Sequence, residues 1–384
     1  MKKRIWTGLF ALLLLLNLAV FPVHAIDLQL SAPSAVLMDL ATGTVLYESN
    51  SHDRLPPASV TKVMTLLLIM EAIDSGKISW TDQVTASEAA AAKGGSQVYL
   101  KVGETMSVED MVKSITVSSA NDCACAMAEF LAGSEAGFVE KMNVKAKELG
   151  MNDTRFVNCT GLDDDPSAEL HLTTAHDIAL MSRELLLHHP DIKRFTTIWM
   201  DTVRDGAFGL SNTNKLVRFY EGTTGLKTGY TSSAGHCLSA SAQRDGLELV
   251  AVVLNCPSST ERFQSAKALL DYGFANYALV DAKGETEIPP VEVVLGKNAT
   301  VQPVPQGPDQ ILIDKGKVSS VEYDVTLEPS IEAPVEAGTP LGTLTVKAGD
   351  EVLGEIPLVA ESAVARLTFK DLFLQMLRGV CMAQ

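Results

Sequence analysis

The chain has 384 residues, 46% apolar and 20% charged, and its 47 acidic against 31 basic side chains leave a net charge of −16. That length allows one large domain plus a smaller one, that composition excludes a disordered chain, and that charge argues against nucleic acid as a partner. No cysteine or histidine spacing suits a metal, so neither a metal nor another cofactor is expected.

The first 25 residues read as a targeting segment. Lys2, Lys3 and Arg4 precede an apolar stretch from Leu9 to Val20, and Val23 and Ala25 occupy the −3 and −1 positions of a cleavage site after Ala25. The alternative is an uncleaved anchor, since the apolar run is nearly long enough to span a bilayer. Either way the remainder is expected outside the cytoplasmic membrane. That compartment permits disulfides, but the scatter of Cys123, Cys125, Cys159, Cys237, Cys256 and Cys381 is unlike a disulfide framework. Buried free thiols are expected, with Cys237 and Cys256, in or beside adjacent predicted strands, as a pair close enough to meet.

Two short strands, 35–40 and 44–47, flank a turn at 41–43. The next element is a helix over 59–74, apolar on most of its circumference and therefore buried, with its N-terminus opening from the centre of the domain. Helices follow at 108–118, 120–132, 136–149 and 174–187, then strands at 225–231, 236–243 and 247–254, whose short connections favour an antiparallel meander. An amphipathic helix over 260–277 closes this part. The class is α/β in the α+β sense, an antiparallel sheet flanked by helices around one buried helix.

After about Val280, prolines punctuate short alternating runs such as 321–327, which read as a small all-β, sandwich-like domain up to about Ala360. Near the C-terminus Phe369, Leu372, Phe373, Met376, Leu377 and Val380 recur at helical spacing, with Arg366, Lys370 and Arg378 beside or beyond them. Such a helix lies in a membrane interface with its apolar side down, or else packs on its own domain.

Three short motifs carry chemistry. Ser59-Val60-Thr61-Lys62 places a hydroxyl and an amine on one side of a helix start. A serine needs an adjacent base to become a nucleophile, and a lysine serves only if burial or nearby positive charge lowers its pKa. Ser119-Ala120-Asn121 falls at a predicted helix start, where Ser119 alone reads as an N-cap. Lys227-Thr228-Gly229 heads a predicted strand, and its glycine would let a substrate backbone lie close and pair as an added strand. If Lys62, Lys227 and Arg262 share one pocket, as the family resemblance drawn from these motifs implies, three cations gather there on an acidic protein, an arrangement suited to a free carboxylate.

In that order the motifs form the signature described for penicillin-binding proteins and class A β-lactamases. With Pro57-Ala58 before Ser59, Asp122 after Asn121, Gly225-Leu226 before Lys227, Tyr230-Thr231 after Gly229, and Ala234-Gly235, the chain resembles a low-molecular-mass penicillin-binding protein of the D-alanyl-D-alanine carboxypeptidase family. The likeness runs nearly its whole length. It implies a β-lactamase/transpeptidase-like domain over 26–278, a β domain over 279–362 and an anchoring helix over 363–384. Implied partners are peptidoglycan stem peptides ending in D-Ala-D-Ala, β-lactam antibiotics, and the cytoplasmic membrane through the C-terminal helix. By the same resemblance Ser59 forms the acyl-enzyme, Lys62 is the base, Ser119 relays a proton and Asn121 binds the substrate amide. The strand through Gly229 docks the peptide, Lys227 and Thr228 serve its carboxylate, and Arg262, expected just ahead of the last helix, assists. The backbone N–H groups of Ser59 and Tyr230 form the oxyanion hole; many relatives carry histidine where Tyr230 stands.

His171, Thr173, Thr174 and Asp177 resemble a loop-to-helix segment near the family's active site and read as structural. Two rivals remain. A class A β-lactamase needs a deacylating glutamate, and Glu169-Leu170-His171-Leu172 departs from the expected segment. A binding or morphogenetic protein would keep the fold without turnover.

Overall fold

The structure, a computed structural model, describes residues 28–373. The targeting segment, Cys381 and the apolar residues from Met376 onward lie outside that range.

A five-stranded antiparallel sheet organises the larger part. In chain order its strands are β1 (Ser34–Asp39), β2 (Val45–Ser49), β3 (Thr223–Thr231), β4 (Gly235–Arg244) and β5 (Leu247–Cys256), and the spatial order is β2-β1-β5-β4-β3. The expected meander is present. Its β4–β5 link is the two-residue turn Asp245-Gly246, both at positive φ (49° and 83°), as tight hairpins require. No local pattern foretells that β1 pairs with β5 along its whole length, Ser34 opposite Leu254 through Asp39 opposite Leu249. That non-local pairing carries β1 and β2 into the sheet and leaves β3 at the edge.

Both faces of the sheet are covered. Val36, Met38, Val250 and Val252 turn towards the helical layer, while Ala35, Leu37, Leu249 and Ala251 alternate with them onto α6 (Ser259–Asn276). The helical layer contains α1 (Lys62–Asp74), α2 (Val108–Ser118), α3 (Asn121–Ala132), α4 (Glu135–Glu148) and α5 (Ala175–His188). Helix α1 is buried nearly all round, as its apolar circumference required. One expectation is corrected in detail. The helix predicted over 59–74 begins with a 3-10 turn, Ala58–Thr61, and becomes α-helical only at Lys62.

Residues beyond the sheet domain are β-rich. β6 (Pro303–Pro305), β7 (Val321–Leu327), β8 (Pro340–Ala348) and β9 (Glu351–Ala360) form a sheet in the order β6-β9-β8-β7, beside a three-stranded sheet over Val291–Val294, Thr300–Val301 and Ser330–Glu332. Each sheet covers a small apolar cluster of its own. The described residues end inside a short helix from Phe369, where the Phe369 and Phe373 rings stack 6.5 Å apart and both are exposed. No helix among the described residues is long and apolar enough to cross a membrane.

Candidate active site

The 3-10 turn sets the first pair. Three residues per turn eclipse i and i+3 more closely than an α-helix does, and Lys62 Nζ lies 2.9 Å from Ser59 Oγ. Lys62 is fully buried and also donates to the Thr160 carbonyl at 2.8 Å. Burial brings its pKa down from 10.5 to about 7, against the opposing pull of Cys159 and Asp122. An amine in that range is neutral often enough at neutral pH to accept a hydroxyl proton.

Ser119 and Asn121 sit where α2 gives way to α3. The expectation of Ser119 as an N-cap is corrected: it ends α2 in the left-handed region, φ 61°, and Ala120 occupies the N-cap of α3. A non-glycine residue there costs about 1–2 kcal/mol, a strain tolerated where a side chain must be aimed. Asn121 Nδ2 donates to the Gly94 carbonyl at 2.7 Å, and its buried Oδ1 has no partner. The neighbouring Asp122 carboxylate, buried, accepts from the N–H groups of Val98 and Leu100 and so ties the preceding loop over this corner.

On the edge strand, Gly229 lies against the turn that carries Ser59. A Cβ at this position would meet the Pro57 carbonyl oxygen at 2.7 Å and Ser59 N at 3.1 Å, so only glycine permits the approach. Lys227 is buried, donates to the Thr228 carbonyl, and is held well below its ordinary pKa by burial and then by Lys62 and Arg262. Thr228 Oγ1 donates to Thr213 Oγ1 at 2.7 Å. Arg262 stands within the first turn of α6 rather than ahead of it, only 6% exposed. Its Nη1 donates to the carbonyls of Gly229 (3.0 Å) and Cys237 (3.3 Å). Tyr230 is 60% exposed and its ring stacks on His236, centroids 4.4 Å apart.

The structure therefore brings Ser59, Lys62, Lys227, Gly229 and Arg262 into one linked site. A cavity of about 390 Å³ opens beside it between Pro57, Ala58, Gly161, His171 and Thr231, with Glu169 exposed on its rim. A larger groove of about 590 Å³ between α1 and α4 holds none of the motif residues. Sequence reasoning missed the carbonyl of Thr160, and with it Glu135, whose carboxylate accepts from Cys159 N and Sγ and pairs with Lys93 at 2.7 Å, fixing the segment that carries that carbonyl. Main-chain acceptors leave no residue signature, and no local pattern marks Glu135. The five described cysteines are free and buried, Cys237 and Cys256 included.

Comparison with known proteins agrees in extent. Residues 21–258 match the family described as D-alanyl-D-alanine carboxypeptidase, and residues 280–366 match the penicillin-binding protein 5 C-terminal domain. The D-alanyl-D-alanine carboxypeptidase DacF of Bacillus subtilis is 43% identical over 348 residues, covering 89% of this chain and 88% of the relative. Penicillin-binding protein 5 from Haemophilus influenzae superposes with a TM-score of 0.75 at 30% identity, over 88% of this chain and 98% of that one. Penicillin-binding protein D2 from Listeria monocytogenes, in its ampicillin-bound form, matches at 34% identity with a TM-score of 0.56, over 64% of this chain and 98% of that one.

Proposed function

The chain belongs to the D-alanyl-D-alanine carboxypeptidase family, and from that premise we propose that it removes the terminal D-alanine of peptidoglycan pentapeptides through an acyl-enzyme on Ser59. Penicillin-type β-lactams engage the same site. The observation that carries the assignment of roles is the buried Lys62 amine, its pKa near 7, within 2.9 Å of Ser59 Oγ.

The substrate peptide pairs along the free edge of β3, its carboxylate directed to Lys227 and Thr228 in a field to which Arg262 adds positive charge. Asn121, with an unpartnered Oδ1, receives the amide of the penultimate residue. Ser59 Oγ attacks the scissile carbonyl as Lys62 takes the hydroxyl proton, and the N–H groups of Ser59 and Tyr230 hold the oxyanion. Ser119 passes the proton to the leaving D-alanine nitrogen as the C–N bond breaks. Water then attacks the ester and returns Ser59.

We place the enzyme outside the cytoplasmic membrane, held there through the C-terminal helix whose first turn exposes Phe369 and Phe373. The discriminating assay follows D-alanine release from a pentapeptide alongside hydrolysis of a cephalosporin. Release without rapid cephalosporin turnover supports the carboxypeptidase. Fast cephalosporin turnover without release, with Glu169 as the glutamate to examine, would favour a β-lactamase, and neither activity would favour a binding protein.

A further inference from the structure

The two backbone N–H groups assigned above to the oxyanion belong to peptide units whose carbonyls are each held by a side chain. A trans peptide points its C=O and N–H in opposite directions, so whatever fixes the carbonyl of residue i aims the N–H of residue i+1. Thr61 Oγ1 donates to the Ala58 carbonyl at 2.8 Å, and Ala58 itself has φ 48°. Arg262 Nη1 donates to the Gly229 carbonyl at 3.0 Å. We propose that Thr61 and Arg262 are positioning residues that aim the N–H groups of Ser59 and Tyr230 into the oxyanion site by clamping the carbonyls of Ala58 and Gly229.

Several observations tie the Thr61 clamp down. The Val60 N–H bonds the Pro57 carbonyl, so the hydrogen-bond ladder of the turn starts at Val60, and the Ser59 N–H precedes it and is left for other use. The Ala58 carbonyl also presses on Gly161, where a Cβ would come within 1.8 Å of its oxygen. Behind Thr61 stands buried His171. The Val157 N–H donates to Nδ1 at 3.2 Å, which makes Nε2 the protonated nitrogen, donating to Thr61 Oγ1 at 2.8 Å. Thr61 then has its own proton for Ala58. Burial, and secondarily Lys62, brings the His171 pKa down to about 4, so this tautomer persists through the neutral range. His171, structural by sequence, is thus a link in the aim of the Ser59 peptide.

The Arg262 clamp acts on the other donor. With its carbonyl turned inward to the guanidinium, the Gly229–Tyr230 peptide must present its N–H to the free edge of β3, where substrate pairs. The close approach of Gly229 to Ser59 N brings the two donors to one place. Arg262 therefore does more than supply charge for a carboxylate.

This inference rests on Ser59 being the nucleophile, which β-lactam labelling of the wild-type chain checks separately. The probe is an acylaminomethylboronic acid, which forms a tetrahedral adduct on the serine and carries no carboxylate. Removing one oxyanion donor costs about 10²–10³-fold in kcat, and a misaimed donor part of that. Thr61→Val and Arg262→Met should each weaken the boronic acid and lower kcat about 10- to 100-fold, with Thr61→Val leaving KM within about threefold. Thr61→Ser, which keeps the hydroxyl, should recover most of both losses relative to Thr61→Val, and Arg262→Lys part of the loss relative to Arg262→Met. Boronic acid affinity unchanged in Thr61→Val and Arg262→Met, with only KM raised in the latter, would overturn the proposal. So would Thr61→Ser as impaired as Thr61→Val, since the methyl group and not the hydroxyl would then matter.

Discussion

Lowering the pH through 7 should switch off acylation of Ser59 by protonating Lys62. The lysine falls from 10.5 to about 7 because burial strips its charged form of water, a loss that Cys159 and Asp122 only partly offset. The base is the neutral amine. About half the molecules carry it at pH 7, about one tenth at pH 6 and about one hundredth at pH 5. An unperturbed lysine would be neutral in fewer than about one molecule in 10³ at pH 7, so the site gains about 10³-fold in competent base, roughly 4 kcal/mol. The assay is the second-order rate of labelling by a fluorescent penicillin from pH 5 to 9, recorded by stopped flow. The rate should climb about tenfold per pH unit below 7 and level off by about pH 8. A flat profile, or one that rises only above pH 9, would refute Lys62 as the base. The same shift has a thermodynamic face. Between about 7 and 10.5 the unfolded chain binds the proton that the folded chain lacks, so this group makes stability rise with pH across that window, and its full penalty applies below 7.

Lys62→Met should accordingly be inactive yet more stable than wild type at pH 6.5, by a few kcal/mol less the loss of the bond to Thr160, with the difference shrinking towards pH 10 in thermal melts. Gly229→Ala forces a Cβ onto the Pro57 carbonyl and Ser59 N, and a shift of a few tenths of an ångström there should cut penicillin acylation about 10²-fold while the sheet core still melts cooperatively. Glu135→Ala frees the Cys159–Thr160 segment, so the acylation pH midpoint should move measurably from that of wild type; an unchanged midpoint would show that Thr160 is held by other means. Deleting the residues after Ala363 should release the protein from membranes, read by fractionation, and undiminished membrane retention would count against that helix as the anchor.

Much of the site was legible because its motifs lie on short stretches with strong local preferences. Ser59 and Lys62 remain neighbours although the turn is 3-10 and not α, since i and i+3 share a side in both. The apolar circumference of α1 announced its burial, and the short connections between the three later strand runs announced the antiparallel meander. What sequence could not disclose depends on distant pairing. The Thr160 carbonyl reaches Lys62 across 98 residues, Arg262 turns onto Gly229 across 33, and β1 closes onto β5 only in the folded sheet. Ser119 shows a second kind of miss. Its residue type favours a cap, but the tight passage from α2 to α3 imposes a left-handed conformation that tertiary contacts must sustain.

The most direct measurement is mass spectrometry of the protein after brief exposure to penicillin, with the modified peptide sequenced. A single adduct per chain on Ser59, absent from Ser59→Ala and prevented by prior incubation with a D-Ala-D-Ala peptide, is the expected result. An adduct elsewhere, or persistent labelling of Ser59→Ala, would contradict the assignment of the nucleophile and everything built around it.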